Sequence, residues 1–266
     1  MDGKNILDLG GQVAFVTGAG QGAGRGIALM LARHGARVAV NDYVLERAEA
    51  VAAEIRDAGG QAVAVQADVG DMESVRAAVA GATAGLGPVT LLVNNAGMAG
   101  PNARIGHDQL FWETDPADWD RYFRTNLQGV MNCCHAILPG MIAQKRGRIV
   151  TIVSDSGRIG EARLSVYAAA KAGAAGFVRS IAKEAGRFGI TCNAISLSTL
   201  EPPMDEETLA RFMQSEQVKA QLSRYVIRRF GKPDDVVAMA LFLCSDAAGW
   251  ITGQTYPVNG GYSFAV

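Results

Sequence analysis

The stretch VTGAGQGAGRGIA, residues 16–28, places a glycine at every second position from Gly18 to Gly26. Val16 closes the apolar run VAFV, and Ile27 opens the helix-periodic run IALMLARHG, so the glycines fall in a strand-to-helix turn. Glycine there lets the backbone approach a phosphate closely, and the unpaired N–H groups of the helix N-terminus bind it. A loose G-x-G-x-x-G/A pattern lies at Gly18, Gly20 and Ala23, and in a chain with 32 glycines it means little alone. Its surroundings give it weight. The next apolar run ends in Asn41-Asp42, eighteen residues past Gly24, about where an acidic group reaches an adenosine ribose. A carboxylate accepts both ribose hydroxyls and repels a 2′-phosphate, which favours NAD over NADP. A strand-end Asp is otherwise a turn or cap residue.

The same rhythm continues along the chain. VAFVTG from Val13, RVAVND from Arg37, AVAVQAD from Ala62, TLLVNNAG from Thr90, RIVTIVS from Arg148, ITCNAIS from Ile190 and TYPVNGG from Thr255 are short apolar runs with helix-length stretches between them. Runs this continuously apolar predict strands covered on both faces, hence a parallel sheet of about seven strands between two helical layers. Nothing long enough to act as a linker interrupts residues 1–266, which read as one doubly wound α/β domain. Two long connections, residues 97–120 and 197–225, follow strand C-termini. Ligands bind outside that edge of an open parallel sheet, so both are expected to contact substrate.

Composition narrows the partners. A chain that is 49% hydrophobic and 19% charged can bury a large core. A formal charge of -1 offers no basic excess for nucleic acid or an anionic membrane surface. MDGKNILDLGG has neither a basic n-region nor an apolar h-region, and no apolar run is long enough to span a bilayer, so a soluble, cytoplasmic protein is expected. Cys133, Cys134, Cys192 and Cys244 match no zinc spacing, and the three histidines are scattered. No metal site is expected, and the thiols read as reduced and buried.

Further motifs carry a family resemblance. Thr17-Gly18-x-x-x-Gly22-x-Gly24, Asp68-Val69, Asn94-Asn95-Ala96-Gly97 and Tyr167-x-x-x-Lys171 occur in order over nearly the whole chain. Together they resemble the TGxxxGxG, Asp-Val, NNAG and YxxxK motifs of the short-chain dehydrogenase/reductase family. The resemblance implies a Rossmann-type three-layer sandwich and a bound nicotinamide dinucleotide. It makes Gly18, Gly22 and Gly24 the cofactor glycines, with Gln21 and Ala23 beside them, and leaves Gly20 and Gly26 permissive. It adds Asp42, Asp68, Val69, Asn95, Ala96, Gly97, Tyr167 and Lys171 to the cofactor site. It assigns catalysis to Ser154, Tyr167, Lys171 and Asn126, the last as the helix asparagine that seats a relay water. Relatives often carry PGxxxT after the sixth strand. Here the segment reads LSTLEP from Leu197, with Pro202 at the threonine position, so Thr199 or the backbone of Leu200 is expected to meet the carboxamide.

The chemistry explains each residue type. Tyr167 and Lys171 are spaced i and i+4 and so share a helix face, although an isolated pair of this spacing is more often a surface contact. Lowering a phenol from its reference pKa near 10 to about 7 takes roughly 4 kcal/mol of phenolate stabilisation. The Lys171 ammonium and a cationic nicotinamide are the expected sources. Ser154 lies thirteen residues before Tyr167 and would donate to the developing oxyanion. Ser156, two residues on, is expected to matter much less, because Gly157 signals that the strand has ended.

The leading expectation is therefore an NAD-dependent oxidoreductase that interconverts a secondary alcohol and a ketone. A nucleotide-binding scaffold or sensor, and a lyase or dehalogenase using the Ser/Tyr pair, are the alternatives. For the substrate, Phe111, Trp112, Leu200, Met204, Leu209, Phe212 and Met213 suggest an apolar, cyclic or aromatic alcohol, with no clustered Lys or Arg for a highly charged one. A 3-hydroxyacyl thioester is the other candidate. The resemblance implies a homotetramer or homodimer, with which the small residues of AAAKAGAAGFVRSIA and the apolar C-terminal segment are compatible.

Overall fold

A computed structural model describes residues 5–97, 109–202 and 204–264. Its elements run β1 (Val13–Val16), α1 (Gly22–Arg33), β2 (Arg37–Asp42), α2 (Leu45–Asp57), β3 (Ala62–Gln66), α3 (Met72–Leu86) and β4 (Leu91–Asn94). After the first long connection come α4 (Asp120–Phe123), α5 (Gly129–Gln144), β5 (Gly147–Ser154), α6 (Ser156–Ile159), α7 (Ser165–Ala185) and β6 (Ile190–Leu197). α8 (Glu206–Gln214), α9 (Glu216–Leu222), α10 (Pro233–Cys244) and β7 (Thr255–Val258) complete the order. All seven apolar runs of the sequence are strands. They pair in parallel in the order β3-β2-β1-β4-β5-β6-β7.

The strands are apolar on both sides because both sides are covered. Ala14 and Val16 of β1 pack with Ile27 and Leu31 of α1, Val51 and Ile55 of α2, and Val236 and Leu241 of α10. Val13 and Phe15 of the same strand face Val75 of α3, Ile137 of α5 and Val178 of α7. One strand thus feeds two cores through its period-2 alternation. The doubly wound, three-layer Rossmann-type sandwich follows. Its strand order reverses between β1 and β4, and a crevice opens at that switch point along the C-terminal strand edge.

A small third cluster lies apart from these layers. Val218, Tyr225 and Phe230 are buried, with Phe212, Met213, Leu222 and Tyr262 packed on them. This cluster holds α8 and α9 together beside the crevice. All four cysteines are free and buried. Among the described residues no helix is long and apolar enough to cross a membrane, and no cluster of metal-ligating side chains occurs.

Candidate active site

A cleft of about 1660 Å³ occupies the switch point. Gly18, Gln21, Gly22, Ala23, Gly24, Asp42, Asp68, Val69, Asn95, Ala96, Gly97, Ser154, Tyr167, Lys171, Thr199 and Leu200 all line it. Of the residues expected at the site only Asn126 does not. It lies behind the wall, fully buried, in a π-helical turn spanning Arg124–Gln128. Residues 98–108 of the first expected substrate connection lie outside the described residues.

The glycine turn explains one end of the cleft. Gly18 and Gly22 have φ of 59° and 56°, which β-carbon-bearing residues seldom adopt. A Cβ on Gly24 would stand 2.2 Å from the Gly18 carbonyl oxygen and 2.3 Å from Asn95 Nδ2. Asn95 Nδ2 donates to the carbonyls of Thr17 and Gly18, both at 3.0 Å, while Thr17 Oγ1 accepts from the N–H groups of Asn95 and Ala96. The NNAG motif therefore braces the glycine turn from β4. No side chain caps α1, and its first turn carries no acidic residue, so its N-terminal N–H groups stay available to an anion.

Gly20 is not permissive. A Cβ there would lie 2.5 Å from Arg47 Cβ and 2.7 Å from Asp42 Oδ2. Asp42 is buried, and its carboxylate accepts from the Gly20 N–H and the Val44 N–H, each at 3.0 Å. Each oxygen keeps a lone pair for a ribose hydroxyl. Asp42 thus shapes the turn as well as facing the cleft. Arg25 turns away and pairs with Glu54 at 2.7 Å. Arg47, which the motif positions do not include, lines the cleft beside Asp42. Only the approach of α2 to the glycine turn brings it there.

The catalytic side chains converge from β5 and α7. Ser154 ends β5, and its Oγ accepts from the Ser156 N–H at 3.2 Å and the Ser156 hydroxyl at 2.9 Å. Burial pushes the Tyr167 phenol up to about 12, against a hydrogen bond with Ser154 that lowers it. Burial also brings the Lys171 ammonium down to about 8. Lys171 Nζ donates to the Ile152 carbonyl at 2.9 Å and stands 5.8 Å from the Tyr167 ring centroid, which leaves its charge and two N–H groups beside the phenol. Asn126 Nδ2 donates to the Tyr122 carbonyl at 2.9 Å. A methyl on Gly97 would lie 3.4 Å from both Asn126 Oδ1 and Lys171 Nζ, so both groups lie beside that glycine.

Between Ser154 and Ser156 sits Asp155, only 1% exposed. Its carboxylate accepts from Ser196 Oγ at 2.7 Å, Asn259 Nδ2 at 2.6 Å and Arg158 Nη1 at 3.0 Å. Arg158 also donates to Ser263 Oγ and the Phe264 carbonyl. An unpaired buried carboxylate would be costly, and here every partner is supplied.

The substrate end is built largely from other residues than the seven expected there. Of the seven apolar residues named from the sequence only Leu200 and Phe212 line the cleft. Met213 packs in the cluster around Tyr225, while Phe111 stacks on Trp119 at 5.1 Å. Trp112 and Met204 are exposed. The lining also includes Leu110, Leu164, Tyr225 and Tyr262, with Glu161, Arg163, Gln217, Gln221 and Arg224 among them. Arginines distant in sequence are gathered by the fold, and some carry partners: Arg224 pairs with Glu161 at 3.1 Å and Arg124 with Asp68 at 3.4 Å. Thr199 is occupied too. Its N–H donates to the Tyr225 hydroxyl at 3.2 Å and its Oγ1 accepts from Gln221 at 3.0 Å.

Comparisons with known proteins agree with this geometry. The family model described as Enoyl-(Acyl carrier protein) reductase matches residues 18–263. The 3-oxoacyl-[acyl-carrier-protein] reductase FabG of Staphylococcus aureus is 39% identical over 251 residues, covering 93% of this chain and 96% of that protein. A structure from Sinorhizobium meliloti 1021, described as a short-chain alcohol dehydrogenase, superposes with a TM-score of 0.86 at 37% identity, covering 97% of this chain and 98% of the other. A gluconate 5-dehydrogenase from Burkholderia cenocepacia J2315, solved with NADP and tartrate, gives 0.87 at 31% identity and covers 98% of each chain.

Proposed function

Since the chain belongs to the short-chain dehydrogenase/reductase family of oxidoreductases, we propose that it interconverts a secondary alcohol and a ketone with NAD(H). The observation that carries this reading is the meeting of Ser154 and Tyr167 with an uncapped, glycine-rich helix N-terminus in one cleft. A bound nicotinamide supplies hydride acceptance and return. Tyr167 takes the hydroxyl proton in oxidation and gives it back in reduction. Ser154 donates to the substrate oxygen as negative charge grows there. Lys171, held by the Ile152 carbonyl, orients the cofactor ribose, and Asn126, whose Oδ1 lies beside Gly97, seats a relay water. The Leu200 backbone N–H, rather than the occupied Thr199 hydroxyl, meets the carboxamide.

The polar side chains set among the apolar lining give a substrate with polar groups something to bind, beside the apolar alcohol. A 3-oxoacyl or 3-hydroxyacyl thioester, or a hydroxy acid, suits it best. The names of the similar reductase and gluconate dehydrogenase support that direction. Initial rates with NADH and NADPH, read by absorbance over a panel of thioesters, hydroxy acids and neutral ketones, test the reading. No turnover with any pair would end it. Ser154→Ala is expected to lower kcat about 10²-fold by removing the oxyanion donor. A loss below threefold would place that donor elsewhere.

Asp42 supports NAD as the preferred cofactor. A 2′-phosphate at its carboxylate would bury a like-charge contact costing several kcal/mol. We expect kcat/KM to favour NAD by about 10²-fold. Arg47 is the cation through which NADP would enter, so Asp42→Asn should narrow the gap, mainly by weakening NAD. Asn keeps one oxygen for the two backbone donors where Ala would strand both. Equal use of both cofactors by the unmodified protein would overturn Asp42 as the ribose carboxylate.

A further inference from the structure

We propose that Ser156 is a positioning residue that directs the Ser154 proton toward the reacting oxygen. The argument rests on counting. A serine hydroxyl has two lone pairs and one proton. Ser154 Oγ accepts from the Ser156 N–H at 3.2 Å and from the Ser156 hydroxyl at 2.9 Å, which fills both lone pairs. Its proton is then the one hydrogen-bonding group left, available to the cleft that Ser154 and Tyr167 line together.

Local structure makes this arrangement durable. β5 stops at Ser154, and α6 starts at Ser156, whose N–H has no acceptor within its own helix. Asp155 between them is fixed by Ser196, Asn259 and Arg158. The Ser156 hydroxyl is itself buried, so water does not compete for the contact. A chain from Ser156 through Ser154 to Tyr167 strengthens each successive donor. Ser154 becomes a better donor both to substrate and to the Tyr167 phenolate.

This inference rests on the catalytic roles proposed for Ser154 and Tyr167, and its test separates the two. Ser156→Ala is expected to lower kcat about tenfold, less than Ser154→Ala, because one of two donors to Ser154 remains. KM and cofactor affinity should stay within about twofold, and the melting temperature should hold. The acidic limb of the oxidation profile should move to higher pH, since a phenolate with a weaker donor holds its proton more tightly. Ser156→Thr, which keeps the hydroxyl, should recover most of the kcat. Unchanged kcat and pH profile in Ser156→Ala, or equal loss in Ser156→Thr at an unchanged melting temperature, would overturn the proposal. A second readout needs no turnover. Phenolate absorbance, taken as the difference between each protein and its Tyr167→Phe counterpart, should titrate at higher pH in Ser156→Ala. An inactive wild type would sink the proposed reaction, while this titration would still decide Ser156.

Discussion

Tyr167→Phe is expected to lose about 10²- to 10⁴-fold in kcat, the usual contribution of a positioned acid/base. Cofactor affinity should stay near that of the unmodified protein, because the phenol oxygen braces no part of the glycine turn. The expected loss is large because of how the phenol is held. Burial places it at about 12, and moving it to neutrality takes about 7 kcal/mol of preferential phenolate stabilisation. Ser154, the Lys171 ammonium and the charge of an oxidised cofactor are the expected sources of this stabilisation. Initial rates combined with fluorescence titration of NADH check the prediction. Turnover within tenfold of wild type would remove Tyr167 from the proton-transfer role.

The fold was legible because its determinants are local and periodic. Each of the seven strands is a continuous apolar run, the signature of a sheet covered on both faces. The serine, tyrosine and lysine were legible because β5 and α7 fix their spacing. What escaped depends on contacts between distant segments. Arg47 reaches the cleft only because α2 packs against the glycine turn, and Gly20 is confined by that same approach. Phe212 and Met213 read equally well as pocket or packing by their helical spacing. Tyr225 and Phe230, further along the chain, draw both into the small third cluster, and Phe212 keeps a place on the cleft wall. The destination of the Lys171 ammonium was hidden for the same reason, since its acceptor is a backbone carbonyl that no motif encodes.

Gly24→Ala should cost more than about 10²-fold in kcat/KM with either NAD or NADP. The added methyl would sit 2.2 Å from the Gly18 carbonyl oxygen and 2.3 Å from Asn95 Nδ2. Those two atoms are hydrogen-bonded to each other at 3.0 Å, so one substitution strains the turn and breaks its brace. Overpacking of this kind costs about 1–3 kcal/mol, and displacing the N–H groups that hold the pyrophosphate adds to it. Isothermal titration with each cofactor and thermal unfolding measure the two parts. Binding within threefold of wild type would mean that α1 can slide away and that the close approach is incidental. Because the brace spans β1 and β4, the loss should be equal for both cofactors, unlike that of Asp42→Asn.

The buried Asp155 sets a timetable for biosynthesis. Its partner Asn259 is 104 residues further along the chain, and Arg158 reaches Ser263 and Phe264 beyond it. On the ribosome the glycine turn, β5 and α7 all emerge well before these residues do. Until then the carboxylate beside Ser154 lacks Asn259, one of its three partners, and Arg158 lacks the two acceptors that fix it. A nascent chain therefore carries the parts of the site without its foundation, and the site can close only when residues 259–264 arrive.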